Sequence, residues 1–97
     1  MRALVEADPV VLLEIAGAIA SGEGSWPAER INELAIENAQ RLATADKRRM
    51  RAAIETMLMG RDVDEALEWL RATQILPVLF PELAATVELV QETGRQH

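Results

Sequence analysis

Apolar residues recur every three or four positions along most of the chain, which is the spacing of α-helices that bury one face. Neither a sustained two-residue alternation nor an Asn-Gly or Asp-Gly turn is present, so no strand is predicted. We therefore expect an all-α fold, a small irregular bundle of about five helices that forms a single domain over residues 1–97. The predicted helices cover residues 8–22, 26–43, 46–59, 62–73 and 81–93.

Capping and helix-breaking residues set the predicted boundaries. Three aspartates precede helices and can accept hydrogen bonds from the first N–H groups, namely Asp8, Asp46 and Asp62. Gly60 follows a helix, where a left-handed residue is common. Pro77 has no amide hydrogen, so we expect the apolar run Ile75–Phe80 to be a connector rather than part of a helix.

Composition narrows the chemistry that the chain can carry. Without cysteine, and with His97 as its one histidine, the chain offers no thiolate metal site and no internal Ser-His-Asp triad. The pair Asp62 and Asp64 resembles a magnesium-binding Asp-x-Asp motif, but its place at a helix start favours capping. We predict no catalytic residue, no metal site and no cofactor in this chain. The apolar stretches are too short for a membrane span and lack a signal peptide's basic flank, so we expect a cytoplasmic protein with no membrane contact.

Charge is distributed unevenly along the chain. The net charge is −6, yet the window from Arg41 to Arg51 sums to +4 and the remainder to −10. Basic residues at a helix N-terminus oppose the helix macrodipole, so helix stability does not explain them. Such a cluster can contact successive phosphates of a nucleic acid, whereas the alternative is a solvated face paired with acids of neighbouring helices. The candidate RNA-binding residues are Arg41, Lys47, Arg48, Arg49 and Arg51, with Arg30 and Arg61 as weaker candidates.

Two short motifs add a family resemblance. The segments Ala66-Leu67-Glu68-Trp69-Leu70 and Phe80-Pro81-Glu82-Leu83 resemble the helical RNA-binding segment of tRNA CCA-adding nucleotidyltransferases and bacterial poly(A) polymerases. The similarity covers roughly residues 46–90. The helix before these motifs departs from the pattern, because Arg48-Arg49-Met50 stands where the family carries Glu-Arg-Ile, while a literal Glu29-Arg30-Ile31 occurs earlier.

The resemblance implies a non-catalytic RNA-binding domain of a larger nucleotide-adding enzyme. That enzyme would use magnesium with ATP or CTP, and a nucleotidyltransferase head and an HD-type domain would adjoin this segment. The expected partner is a tRNA-like RNA that the basic residues recognise by shape and backbone, since no aromatic residues interleave with them. The chain ends at His97, about where the HD-type domain would begin.

A helical protein-interaction or dimerisation module without nucleic-acid binding is the alternative function. Its support is the very apolar helix from Val10 to Ala20 together with Trp26 and Trp69, which exceed what one small core readily buries. A homodimer through this helix predicts that Leu12→Glu weakens self-association. Trp69 itself is expected in the core or at a domain interface rather than as a platform for stacked bases.

Overall fold

The computed structural model describes residues 2–22 and 26–94, with the side chains of residue 2 and residues 87–94 left out of the description. In these ranges the chain forms helices and turns and no strand, so the expected all-α bundle is confirmed. The α-helices are α1 Arg2–Ala7, α2 Val11–Ala20, α3 Glu29–Asn38, α4 Lys47–Leu58, α5 Val63–Ala72 and α6 Leu76–Gly94, and a 3₁₀ helix covers Ala39–Thr44. None of the described helices is long and apolar enough to cross a membrane. The single-domain extent over residues 1–97 stays a prediction, and His97 lies outside the described residues.

Helix α1 and the 3₁₀ helix depart from the predicted boundaries. Helix α1 was not expected, because six residues are too few to show a helical period. The predicted helix over residues 26–43 begins instead at Glu29, and after Asn38 it tightens into the 3₁₀ turn. A 3₁₀ segment at the end of an α-helix is common, and here it turns the chain towards α4.

The connector predicted at Ile75–Phe80 is wrong, because α6 already begins at Leu76. Pro77 is the second residue of α6, and in the first turn a residue's N–H has no partner within the helix, so proline fits there. Pro81 lies inside the helix and removes one backbone hydrogen bond. The side chains on either side of it, Leu79 and Leu83, are buried and hold the helix against the bundle.

The core surrounds α2, which packs against both α4 and α5. Burial on two sides explains why this helix is so apolar, without a partner chain. Leu12 is completely buried, so the substitution Leu12→Glu would disrupt the core and does not test a dimer interface. The buried side chains of the three helices are Leu12, Leu13, Ala16, Ile19 and Ala20 of α2, Met50, Ile54 and Met57 of α4, and Ala66, Trp69 and Leu70 of α5.

Gly60 allows the turn between α4 and α5 to approach the end of α2. A Cβ atom on Gly60 would lie 2.5 Å from the carbonyl oxygen of Ala20, and the Asp62 N–H donates to that same oxygen at 2.8 Å. The left-handed cap predicted for Gly60 is wrong, because among the described glycines Gly22 is the one with positive φ. Gly60 is therefore required for space and not for its backbone angle.

Of the three predicted aspartate caps, the one at Asp46 is formed, whereas α2 has Val10 as its N-cap residue and no side-chain capping hydrogen bond. Oδ1 of Asp46 accepts from the N–H groups of Arg48 and Arg49 at 2.9 and 3.4 Å, which confirms the cap of α4. Oδ1 of Asp8 accepts from the Val10 N–H at 3.2 Å in the turn that leads into α2. The cap predicted at Asp62 is wrong, because its side chain makes no capping hydrogen bond.

Candidate nucleic-acid interface

Helix α4 presents its basic residues to solvent because its apolar stripe faces inward. Met50 and Ile54 are buried, which fixes the rotation of the helix. Lys47, Arg48 and Arg51 are then exposed on the outer surface. The Asp46 cap places the start of the helix at Lys47, so all three cations fall within its first turn and a half.

These three cations line one open depression of about 390 Å³, together with Ala52 and Glu55. We call it the basic depression. The Lys47 ammonium donates to the carbonyl oxygen of Ala43 at 3.1 Å, while the Arg48 side chain makes no hydrogen bond or ion pair with any described residue. Three cations and the Glu55 carboxylate line it, and the Glu82 carboxylate is bound to Arg51, so the surface keeps an excess of positive charge that suits an anion.

Arg51 is the one member of the basic depression that pairs with a carboxylate among the described residues. Its Nε donates to Oε2 of Glu82 on α6 at 3.2 Å. The Arg51 side chain is 59% exposed and that of Glu82 is 18% exposed. The pair therefore joins α4 to α6, while the Arg51 side chain as a whole stays largely exposed.

Arg49 points to another side of α4 and is held by Asp8. Its Nη2 lies 2.5 Å from Oδ2 of Asp8, and it lines a groove between α2 and α4 instead of the basic depression. The hydrogen bond from Arg49 lowers the pKa of Asp8 below the ordinary value for aspartate. The same hydrogen bond raises the pKa of Arg49, so both groups are charged in the pair.

Arg41, in the 3₁₀ helix, caps the end of α1. Nη1 donates to the Val5 carbonyl oxygen at 3.2 Å and to Oδ1 of the buried Asn38 at 3.1 Å. Nη2 donates to the Glu6 carbonyl oxygen. Carbonyl groups at a helix C-terminus lack partners within the helix and favour positive charge, so Arg41 has a structural role that accounts for its position.

The five predicted candidates therefore do not form one site. The structure brings Lys47, Arg48 and Arg51 together and places Arg41 and Arg49 against the segment from Val5 to Asp8. The weaker candidates are also elsewhere: Arg30 is exposed on α3, and Arg61 lies 4.0 Å from Asp62. Sequence reasoning missed Glu82 as a partner, although it lies within one of the quoted family motifs.

The described aromatic residues do not line the basic depression. Trp69 is completely buried, as expected, and its Nε1 donates to Oδ1 of Asn32 at 2.7 Å. Trp26 and Phe80 are exposed, but neither borders the three cations. Base stacking at this surface therefore has no side chain to support it.

Asp62 and Asp64, the pair that resembles a magnesium-binding motif, lie at the start of α5. Within residues 2–22 and 26–94, no group of three or more His, Cys, Asp or Glu residues could hold a metal ion. Asp64 lies in the first turn of α5, where a carboxylate complements the helix dipole.

A helical bundle with one cationic depression has the features of a module that binds a polyanion. Residues 27–87 match the family model described as the probable RNA and SrmB-binding site of polymerase A. Because the match covers more than half of the chain, the protein belongs to this family, whose members provide the RNA-binding domain of poly(A) polymerase-type enzymes. Among curated proteins and solved structures, none matches the chain significantly.

Proposed function

We propose that this chain binds structured, tRNA-like RNA through backbone phosphates at the basic depression. The observation that carries the proposal is that Lys47, Arg48 and Arg51 share one open surface with a single carboxylate, Glu55. Each phosphate contact releases counterions, and this supplies affinity with little dependence on sequence. Arg41 and Arg49, which the sequence also indicated, contribute by holding the bundle together.

The groups at this surface support a folded RNA as the ligand. No described aromatic residue lines the basic depression, so unpaired bases have no ring on which to stack. Lysine and arginine side chains reach phosphates and the 2′-hydroxyl groups of a folded RNA without reading its bases. A duplex with a fixed backbone shape therefore suits the surface better than a flexible single strand.

The larger enzyme remains part of the proposal. The family resemblance implies a parent enzyme that adds nucleotides to an RNA 3′ end with magnesium and ATP or CTP, and we place this enzyme in the cytoplasm. In this proposal a nucleotidyltransferase head adds the nucleotides, an HD-type domain adjoins the segment, and the bundle positions the RNA.

A double charge reversal tests the proposed function. The variant Arg48→Glu with Arg51→Glu should lower the affinity for an unmodified tRNA transcript by about 100-fold or more at low salt, because two attractive contacts become repulsive. The control, Arg61→Glu with Arg71→Glu, changes the net charge equally at exposed sites outside the basic depression. Fluorescence anisotropy measures both, and equal losses in the two variants would contradict the proposal.

Protein docking is a second candidate function, since the family description names the protein SrmB beside RNA. A groove of about 550 Å³ between α2 and α4 is lined largely by small residues, including Gly17, Ala18 and Ala52. Such a groove can receive an apolar segment of a partner. Ala18→Glu should then reduce binding to purified SrmB and leave RNA binding intact; unchanged SrmB binding counts against this function. Sedimentation velocity of the same variant tests a homodimer through the groove.

A further inference from the structure

We infer that Glu82 is a positioning residue, which holds the Arg51 guanidinium so that its two terminal nitrogens face an RNA phosphate. The inference rests on the proposed function and names the group that organises its site. Glu82 belongs to α6 and does not itself line the basic depression. It acts through Arg51, to which its carboxylate is hydrogen-bonded.

The three hydrogen-bonded arginines of the basic window differ in the nitrogen that each one uses. Arg41 donates from both Nη1 and Nη2, and Arg49 donates from Nη2. Arg51 donates from Nε alone, to Glu82. Within the described part of the chain, both terminal nitrogens of Arg51 are thus left without a protein acceptor. Two parallel N–H groups match two oxygens of a phosphate, and we call this pair of terminal N–H groups the fork. Arg51 keeps a free fork, whereas Arg41 and Arg49 already use terminal nitrogens within the protein.

Glu82 is placed firmly enough to direct Arg51. Its neighbours in the helix, Leu79, Leu83 and Thr86, are buried, and α6 packs against α4. The Glu82 side chain is 18% exposed, so packing restricts its movement more than that of a freely solvated carboxylate. Fixing the guanidinium before binding reduces the entropy lost when a phosphate arrives.

The negative charge of Glu82 works against phosphate binding, so charge and positioning must be separated. Glu82→Gln removes the charge and keeps an oxygen that can accept from Nε of Arg51. Glu82→Ala removes both the charge and the acceptor. Because the two variants have the same net charge, the difference in their RNA affinities reports on positioning alone.

The decisive experiment is a double-mutant cycle with an unmodified tRNA transcript as the probe. Glu82→Ala should bind about three- to tenfold more weakly than Glu82→Gln, and the difference should vanish when Arg51→Ala is present in both. The control pair is Glu68→Ala and Glu68→Gln, because Glu68 accepts from Nε of Arg71 at 3.1 Å on α5. These two controls should bind RNA equally. Unfolding temperatures of all variants exclude a loss caused by misfolding.

If Glu82→Ala is unstable, a substitution at the exposed Arg51 provides a second test. Arg51→Lys keeps the charge but offers no fork and no Nε to the carboxylate, so it should bind the transcript more weakly than the original chain. Glu82→Ala binding as tightly as Glu82→Gln, or Arg51→Lys binding like the original chain, would overturn the inference. If instead the unaltered chain does not bind the transcript, the proposed function fails rather than the role of Glu82.

Discussion

The basic depression differs from a second region of the protein, in which Arg41 and Arg49 form hydrogen bonds within the fold. We call the second region the N-terminal clamp, meaning Arg41 and Arg49 with their partners between Val5 and Asp8. Both regions draw their cations from the same short window of sequence. In the basic depression the charged groups remain exposed beside few acceptors, whereas in the clamp they are bound to carbonyl oxygens and to a carboxylate.

The difference teaches that a run of basic residues locates a region but does not assign roles within it. The two backbone carbonyl partners of Arg41 lie 36 and 35 residues earlier in the chain, and the carboxylate partner of Arg49 lies 41 residues earlier. These partners also precede residue 27, where the family match begins. The clamp thus ties the N-terminal segment to the family domain, and the basic depression lies wholly within that domain.

Arg41→Ala should have the largest effect on stability. It removes the donor to the carbonyl oxygens at the end of α1 and leaves Oδ1 of the buried Asn38 without its partner. The free energy of unfolding should fall by about 1–3 kcal/mol. Arg48→Ala is the matched control and should change stability by less than about 0.5 kcal/mol. Urea denaturation measures both. Equal stability of the two variants would place Arg41 outside the clamp.

Asp8→Asn should lower the stability less than Arg41→Ala does, and its effect should be limited to the N-terminal clamp. The amide oxygen can still accept from the Val10 N–H, so the variant removes the charge partner of Arg49 and little else. We expect a small decrease in the urea midpoint, because both side chains are partly exposed, and less than about a twofold change in affinity for a tRNA transcript. A large gain in RNA affinity would show that Arg49 is a phosphate contact that Asp8 masks.

Lowering the pH should break the ion pair between Asp8 and Arg49, and this should change the stability of the fold least. Because the hydrogen bond from Arg49 lowers the pKa of Asp8, the pair stabilises the fold above the ordinary aspartate pKa. That contribution is lost as the pH falls through the lowered value. The raised pKa of Arg49 matters only in strong alkali, beyond the usual range of experiments. A carbon-13 NMR titration should find Asp8 below the ordinary aspartate value, and Arg49→Gln should restore it; no change on that substitution would contradict the pairing.

The helical class and most of the core were predictable because they follow from local spacing. The stripe through Met50, Ile54 and Met57 and the cap at Asp46 depend on residues within a few positions of each other. Trp69 was expected in the core or at a domain interface, and the structure places it in the core. Each of these features follows from helical geometry once the period is recognised.

The features that could not be predicted depend on distant parts of the chain. Gly60 is needed because the end of α2 approaches it, and the role of Arg41 depends on the position of α1. The start of α6 differs from the prediction because proline breaks a helix in its interior but is tolerated in the first turn, where Pro77 lies. Glu82 approaches Arg51 across 31 residues, and the helical period contains no sign of that contact.

The salt dependence of RNA binding tests the central claim most directly, with Arg51→Ala compared against Arg49→Ala. A phosphate contact contributes about one unit to the slope of log K against log salt concentration. Arg51→Ala should reduce the magnitude of this slope by about one for a tRNA transcript, and Arg49→Ala should leave it unchanged. Equal slopes for the two variants, or a reduction confined to Arg49→Ala, would contradict the separation of the basic depression from the N-terminal clamp.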